Sequence, residues 1–417
     1  MGPLPASLSS SPRKLLDRNS SKLNAVVQRD IKSSLLLLLV LSTVLVLSVL
    51  YSSQADQTGA QSGGIQVEEK CDMSMGKWVR DPRGPLYTNL TCPTLPDSKN
   101  CQKYGKDPGH LFWRWQPDGC DLPRFSPERF LDVVRGKRLA FIGDSLARNQ
   151  MESLLCLLSQ AETPTLVDRD ALDKFVTWHF PVHNFTLMVM WTEFYAHAVP
   201  VPDTNGKPPI PFDIHLDRIV NANWTIRLPG LDYAILSGGN WFFRVNYLWE
   251  DGHRIGCVNC REANLTDFGI VYAIRRVVKA ALQAIAVCKD CKSNLVTFLR
   301  TYTPGHHEHG SWSSGGYCNR TRPLKEEEIS LVSIEWELRN AQDEEVRAAR
   351  ETTGSKRFGV LDVTKAMMLR ADGHIGAHKD KRWVNASDCL HWCLPGPIDM
   401  WNDMLLQRLT EDSPPVV

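Results

Sequence analysis

The stretch Lys137–Leu158, KRLAFIGDSLARNQMESLLCLL, decides how the whole chain is read. Leu139-Ala140-Phe141-Ile142 is an apolar run suited to a buried strand, Gly143-Asp144-Ser145 is a sharp turn, and a helix opens at Leu146. Met151, Leu154, Leu155 and Leu158 give that helix a strongly apolar face. A serine hydroxyl at the carboxyl end of a strand, beside the positive N-terminus of a helix, suits a nucleophile that passes through an oxyanion. Gly-Asp-Ser alone is equally a turn with an Asp or Ser N-cap; the strand, turn and helix around it carry the weight.

The chemical partner lies near the other end, in Asp388-Cys389-Leu390-His391. On a helical turn this spacing places a carboxylate and an imidazole on one face, so that the Asp orients the His. Asp-x-x-His is also an ordinary solvated helix end, and the case for a serine acyl-transfer site rests on the two segments together. Other short apolar strands are expected at Thr186–Trp191, Tyr233–Ser237, Leu295–Arg300 and Phe358–Asp362. Helical spacing runs over Phe268–Val287, and a charged surface helix over Lys325–Arg350. Strands alternating with helices predict an α/β fold whose mainly parallel sheet is covered on both faces, with Ser145 at the ligand-binding end.

Residues 33–51 hold an uncharged aliphatic run, Leu35–Leu50, long enough to span a bilayer with its flanks, since roughly 17 to 25 residues are required. Arg13, Lys14, Arg18, Lys22, Arg29 and Lys32 precede it, so the positive-inside bias predicts residues 1–32 as a cytosolic tail and 33–51 as a signal anchor. Residues 52–70 are polar and read as a flexible stem. A cleaved signal peptide fits less well, because its n-region would exceed thirty residues. All 12 cysteines follow the stem, as expected in an oxidising lumen, and sequons stand at Asn89, Asn184, Asn223, Asn264, Asn319 and Asn385. A net charge of +1 with no basic cluster outside the tail argues against nucleic acid. Residues 71–135, rich in Pro, Gly, Trp and Cys, read as a disulfide-held module preceding a catalytic domain over 136–411.

The segments Lys77-Trp78-Val79-Arg80-Asp81-Pro82, Trp113-Arg114-Trp115-Gln116-Pro117, Gly143-Asp144-Ser145 and Asp388-Cys389-Leu390-His391-Trp392-Cys393-Leu394-Pro395-Gly396 together resemble the plant trichome birefringence-like polysaccharide O-acetyltransferases. Residues 300–306, 315–321 and 361–364 look most like the branch that acetylates xyloglucan. The resemblance implies an SGNH/GDSL-esterase-like three-layer sandwich with Ser145 as nucleophile, His391 as base and Asp388 as orienting acid. It further implies a Golgi type II membrane enzyme that moves an acetyl group, through an acetyl-serine, onto a galactosyl side chain or glucosyl backbone hydroxyl of a hemicellulose. Its partners would be that acceptor, the Golgi membrane, and an acetyl donor or donor-delivering membrane protein; no bound cofactor is implied. Xylan or mannan as acceptor, a polysaccharide acetyl-esterase, and a non-catalytic wall-polysaccharide-binding protein are the alternatives.

For the oxyanion or donor site the candidates are Gly143, Asp144, Arg148 and Asn240, with Arg148 equally readable as a surface ion-pairing arginine and Asn240 as a turn residue. Trp113, Trp115, Trp241, Trp312 and Trp392 offer apolar faces for sugar rings, Trp241 and Trp312 being preferred for their glycine-rich or strand-end settings, and His306 is a third substrate-binding candidate. His306, His307 and His309 are spaced irregularly for a metal, and none is expected. The family pattern implies disulfides Cys71 to Cys120, Cys92 to Cys156, Cys101 to Cys393 and Cys318 to Cys389. Cys257-x-x-Cys260 and Cys288-x-x-Cys291 read as two more disulfides, with zinc the alternative.

Overall fold

The computed structural model describes residues 41–44, 46, 71–202, 210–217, 219, 223–354, 357–380 and 387–411. Apart from residues 41–44 and 46, which are helical, the expected tail, anchor and stem lie outside the described residues, as does Asn385. Among the described residues no helix is long and apolar enough to cross a membrane.

Along the chain, β1 (Gly76–Arg80) and β2 (Trp113–Pro117) form an antiparallel ribbon. There follow α1 (Pro127–Val133), β3 (Arg138–Gly143), α2 (Ser145–Leu158), β4 (Thr165–Arg169), β5 (Phe175–Phe180) and β6 (Phe185–Trp191). Next come β7 (His197–Pro200), β8 (Phe212–His215), β9 (Tyr233–Ser237), β10 (Asn246–Glu250), β11 (His253–Val258) and α3 (Gly269–Ala286). The chain continues with β12 (Val296–Arg300), α4 (Ile334–Thr353), β13 (Phe358–Leu361), α5 (Thr364–Met368), β14 (His374–Gly376), β15 (Asp388–Trp392) and α6 (Asp399–Glu411).

The main sheet has seven strands in the order β13-β12-β9-β3-β6-β5-β4, parallel from β13 to β6 and antiparallel over its last two pairs. Alternation along β3 explains its place at the centre, because both of its faces are buried. Leu139 and Phe141 enter the core shared with α1, α2 and α6, whereas Ala140 and Ile142 enter the core shared with α3 and α4. Helices therefore cover both faces, as expected, and the five parallel strands lie within a residue or two of their predicted bounds. Between β6 and β9, however, the described residues form no crossover α-helix. The chain there supplies β7 and β8, which join β10 and β11 from beyond β9 in a second sheet ordered β11-β10-β8-β7, which sequence periodicity did not show.

Residues Cys71–Val417 form one unit. The N-terminal module is tied to it by Cys92–Cys156 on α2 and Cys101–Cys393 beyond β15, while Cys71–Cys120 closes the module itself. Trp78 Nε1 donates to the Ala366 carbonyl at 2.8 Å, and Tyr87 Oη to Asp399 on α6 at 2.9 Å. All six disulfides match the expected pairing, including Cys257–Cys260 and Cys288–Cys291.

Under this module, burial pushes the Asp399 carboxyl up to about 6, against hydrogen bonds from Ser153, Gly396 and Tyr87. Burial, reinforced by the Asp399 charge, pushes Asp403 up to about 7. Both folded-state values exceed the ordinary 3.8, so the stability they confer is fully present below that pH and is lost as pH rises through 6 to 7. Melting temperature is expected to fall from pH 5 to pH 8. Asp403→Asn, which keeps an acceptor for the Phe125 N–H, is expected to recover about 2 kcal/mol at pH 8. Thermal melts of both proteins at the two pH values check this; parallel pH dependence would contradict it.

Candidate active site

β3 delivers the chain to Gly143, where a Cβ would lie 1.7 Å from the Ser237 carbonyl oxygen, so only glycine passes between β3 and β9. The Asp144 N–H donates to that carbonyl at 3.2 Å, and the Asp144 carboxylate caps α2 by accepting the Leu146 N–H at 2.9 Å. Ser145 is thus the first residue of a helix of 14, half-buried at its positive end. As the first residue of the helix, its own N–H has no intrahelical partner and is the kind of donor an oxyanion uses.

Beneath the turn, fully buried Arg300 at the end of β12 donates from Nε and Nη2 to Ser237 Oγ at 2.9 and 2.7 Å, and from Nη1 to the Thr301 carbonyl at 2.8 Å. Burial pushes the Asp144 carboxyl up, opposed chiefly by the positive charge of Arg300. Arg300 and Asp144 share the floor of the Gly143–Ser145 turn, and Arg300 holds Ser237, and with it Gly143, in place.

Asp388 and His391 lie on a strand, correcting the helical turn expected from their spacing. In a regular strand residues three apart face opposite sides. Here pairing with β14 is irregular between Asp388 and Trp392, and Asp388 Oδ1 accepts the Leu390 and His391 N–H groups at 3.2 and 3.0 Å, folding the strand into a local turn. The carboxylate oxygens then stand 3.0 and 2.9 Å from His391 Nδ1. Burial alone would raise the Asp388 carboxyl; the His391 charge and its ring and backbone hydrogen bonds outweigh burial and hold the group well below the usual carboxylate range. An ionised Asp388 fixes the tautomer with hydrogen on Nδ1 and the lone pair on Nε2. Nε2 is buried and has no hydrogen-bond partner among the described residues.

Asn149, one turn after Ser145, joins the two halves. It receives the Trp392 N–H at 2.8 Å and donates to the Trp392 carbonyl at 3.3 Å, clamping α2 to the residue that follows His391. Cys318–Cys389 and Cys101–Cys393 pin the same strand on either side.

Asp388 and His391 border a cleft of about 670 Å³, together with Asn240, Arg244, His307 and Trp312. Asn240 turns its Nδ2 toward the Thr303 carbonyl at 3.3 Å, and its Oδ1 is buried without a partner among the described residues. Trp312 is exposed on the cleft wall. Trp241 lies behind it, with the Arg244 guanidinium 4.0 Å from the Trp241 ring and 5.6 Å from that of Trp312. Arg148 pairs with Asp173 at 3.0 Å and does not border the cleft. His306 is drawn inward to His374 and the Met368 carbonyl, leaving His307 on the cleft. Trp115 and Trp392 are core residues, and Trp113 lies under Arg80 at 4.2 Å. Sequence reasoning passed over Asn149, Arg244 and the floor role of Arg300; the Ser145-plus-four position of Asn149 on the same helix face was the available signal. Among the described residues no group of three His, Cys, Asp or Glu side chains is placed to hold a metal ion.

Residues 122–408 match the PC-Esterase family, described as a GDSL/SGNH-like acyl-esterase family found in Pmr5 and Cas1p, and residues 69–121 match the PMR5 N-terminal domain. The chain is 50% identical over 345 residues to xyloglucan O-acetyltransferase 3 of Populus trichocarpa, covering 82% of this chain and 86% of that protein. It is 45% identical over 359 residues to xyloglucan O-acetyltransferase 2 of Arabidopsis thaliana, covering 85% and 86%. Against protein trichome birefringence-like 24 of Arabidopsis thaliana the identity is 40% over 354 residues, covering 82% of each. By a family match over more than half of its length and relatives at 40 to 50% identity over most of it, the chain belongs to the PC-Esterase family, among the trichome birefringence-like O-acetyltransferases.

Proposed function

We propose that this protein is an O-acetyltransferase that acetylates xyloglucan by double displacement through Ser145. The observation that carries the chemistry is an ionised Asp388 bound to His391 Nδ1, with Nε2 left without a partner on a strand clamped to the serine helix. His391 Nε2 takes the Ser145 hydroxyl proton as Oγ attacks the acetyl carbonyl of the donor. The Ser145 N–H at the start of α2 receives the oxyanion, which collapses to acetyl-serine as the donor's leaving group departs with the proton. A sugar hydroxyl then loses its proton to the same imidazole and attacks the ester, returning Ser145. Transfer to sugar over water requires the acceptor to be held and the site dry, which the Arg244 and Trp312 wall supports.

Names of relatives at 45 to 50% identity support xyloglucan as the acceptor over xylan or mannan. Six disulfides and exposed sequons at Asn184, Asn223, Asn264 and Asn319 support a secretory-pathway enzyme, and the apolar run at 35–50 behind a basic tail supports a type II anchor in the Golgi membrane. Incubation with an acetyl donor and matched xyloglucan, xylan and mannan oligosaccharides, followed by NMR location of the acetyl group, tests the reading. Acetylated xyloglucan oligomer is the expected product; free acetate alone, or transfer only to another polymer, would overturn it. Arg244→Ala and Trp312→Ala are each expected to raise acceptor KM about tenfold with little change in kcat, since both act on a sugar ring already neutral in the ground state.

A further inference from the structure

Directly behind the triad strand, half-buried His306 and fully buried His374 form a chain of contacts between backbone carbonyls. His374 Nδ1 on β14 lies 3.1 Å from the His391 carbonyl oxygen, and His306 Nε2 lies 2.9 Å from the Met368 carbonyl oxygen. The two remaining nitrogens, His306 Nδ1 and His374 Nε2, stand 2.7 Å apart. Carbonyl oxygens only accept, so each outer nitrogen must carry a hydrogen, and the inner N···N contact requires a third. Two neutral imidazoles supply two. We propose that His306 and His374 share one additional proton and through it serve as positioning residues, fixing the His391 backbone and so the orientation of its imidazole. This role rests on His391 being the catalytic base.

Burial opposes charge on either ring taken singly, pushing His306 down and His374 further down. A neutral pair, however, sets a ring lone pair against a carbonyl lone pair at one end of the chain, leaving a buried acceptor unpaired. The facing groups decide which prevails. Asp372, buried in its pair with Arg370, and Glu335 favour a cation on His306, against His307. Asp388 favours one on His374, against Lys106. The His374 ring also stacks on Trp392 at 3.9 Å, a surface that attracts a cationic imidazole. Such a pair titrates as a unit. When its shared proton leaves, one carbonyl link must open.

Histidine C2–H exchange followed by mass spectrometry on the full chain measures the protonation of each ring and does not depend on turnover. The expected midpoint for the His306 and His374 pair is at or above the ordinary imidazole value; both rings titrating below pH 5 would overturn the proposal even if the triad is right. In activity, kcat is expected to fall on the alkaline side as the pair deprotonates, with KM unchanged. His306→Gln supplies two amide N–H donors without a charge, and is expected to abolish that alkaline fall. His374→Phe keeps the stacking surface on Trp392 but loses both links, and is expected to lower kcat about tenfold with KM within twofold. An alkaline limb unchanged in His306→Gln would also overturn it, whereas loss of activity in Ser145→Ala bears only on the triad.

Discussion

Ser145→Ala is expected to leave a folded protein with transferase activity lowered at least about a thousandfold. The substitution removes one oxygen from a half-buried position and leaves the Asp144 cap and the Ser237 contact intact, so the helix has no reason to move. His391→Ala is expected to match it, and the double variant to fall little further, because nucleophile and base act in the same step. Asp388→Asn retains a weak residue of activity: the amide still accepts from the backbone N–H groups of Leu390 and His391 but no longer holds the charge or the tautomer. Turnover with melting temperature in parallel separates chemistry from folding, and wild-type turnover in Ser145→Ala would remove the serine from the mechanism.

Loss of the Cys101–Cys393 disulfide is expected to have the largest effect on stability. It closes 292 residues of chain, the longest separation of the six, and both cysteines are buried beside Ile375 in a small cluster of their own. Chain entropy alone gives about 5 to 6 kcal/mol for a cross-link of that length. The bond also fixes the end of β15 two residues after His391, so Cys101→Ser with Cys393→Ser is expected to lower kcat together with melting temperature. Removing Cys288–Cys291, which closes only three residues, should cost far less. Equal melting temperatures for the two double variants would contradict this ranking.

What the sequence reveals and what it hides follow from burial and distance along the chain. Central strands such as β3 and β9 are covered on both faces and read as plain apolar runs, so the parallel sheet and the Gly143–Ser145 turn between strand and helix were legible. β4 is exposed at every residue, and β7 is mostly exposed, so neither carries an apolar signal. Asp388 and His391 do meet, as their spacing suggested, but on a strand and not on a helical turn. Their meeting depends on the irregular pairing with β14 and on two long-range disulfides, none of which a local window contains. His306 and His307 are neighbours that face opposite ways, and only the packing of β14 determines which one reaches the cleft. Arg244 gives no sequence signal because its importance comes from two tryptophans, one of them nearly seventy residues away.

The most direct test of the central claim is the fate of an acetyl group on Ser145. The full chain, mixed with an acetyl donor alone and quenched rapidly, should gain one acetyl mass on a peptide containing Ser145, and Ser145→Ala should gain none. Addition of xyloglucan oligosaccharide should discharge the label onto a sugar hydroxyl faster than water does. A label whose lifetime is unchanged by acceptor, with acetate the sole product, would make the protein an esterase; no label at all on Ser145 during acceptor turnover would contradict double displacement.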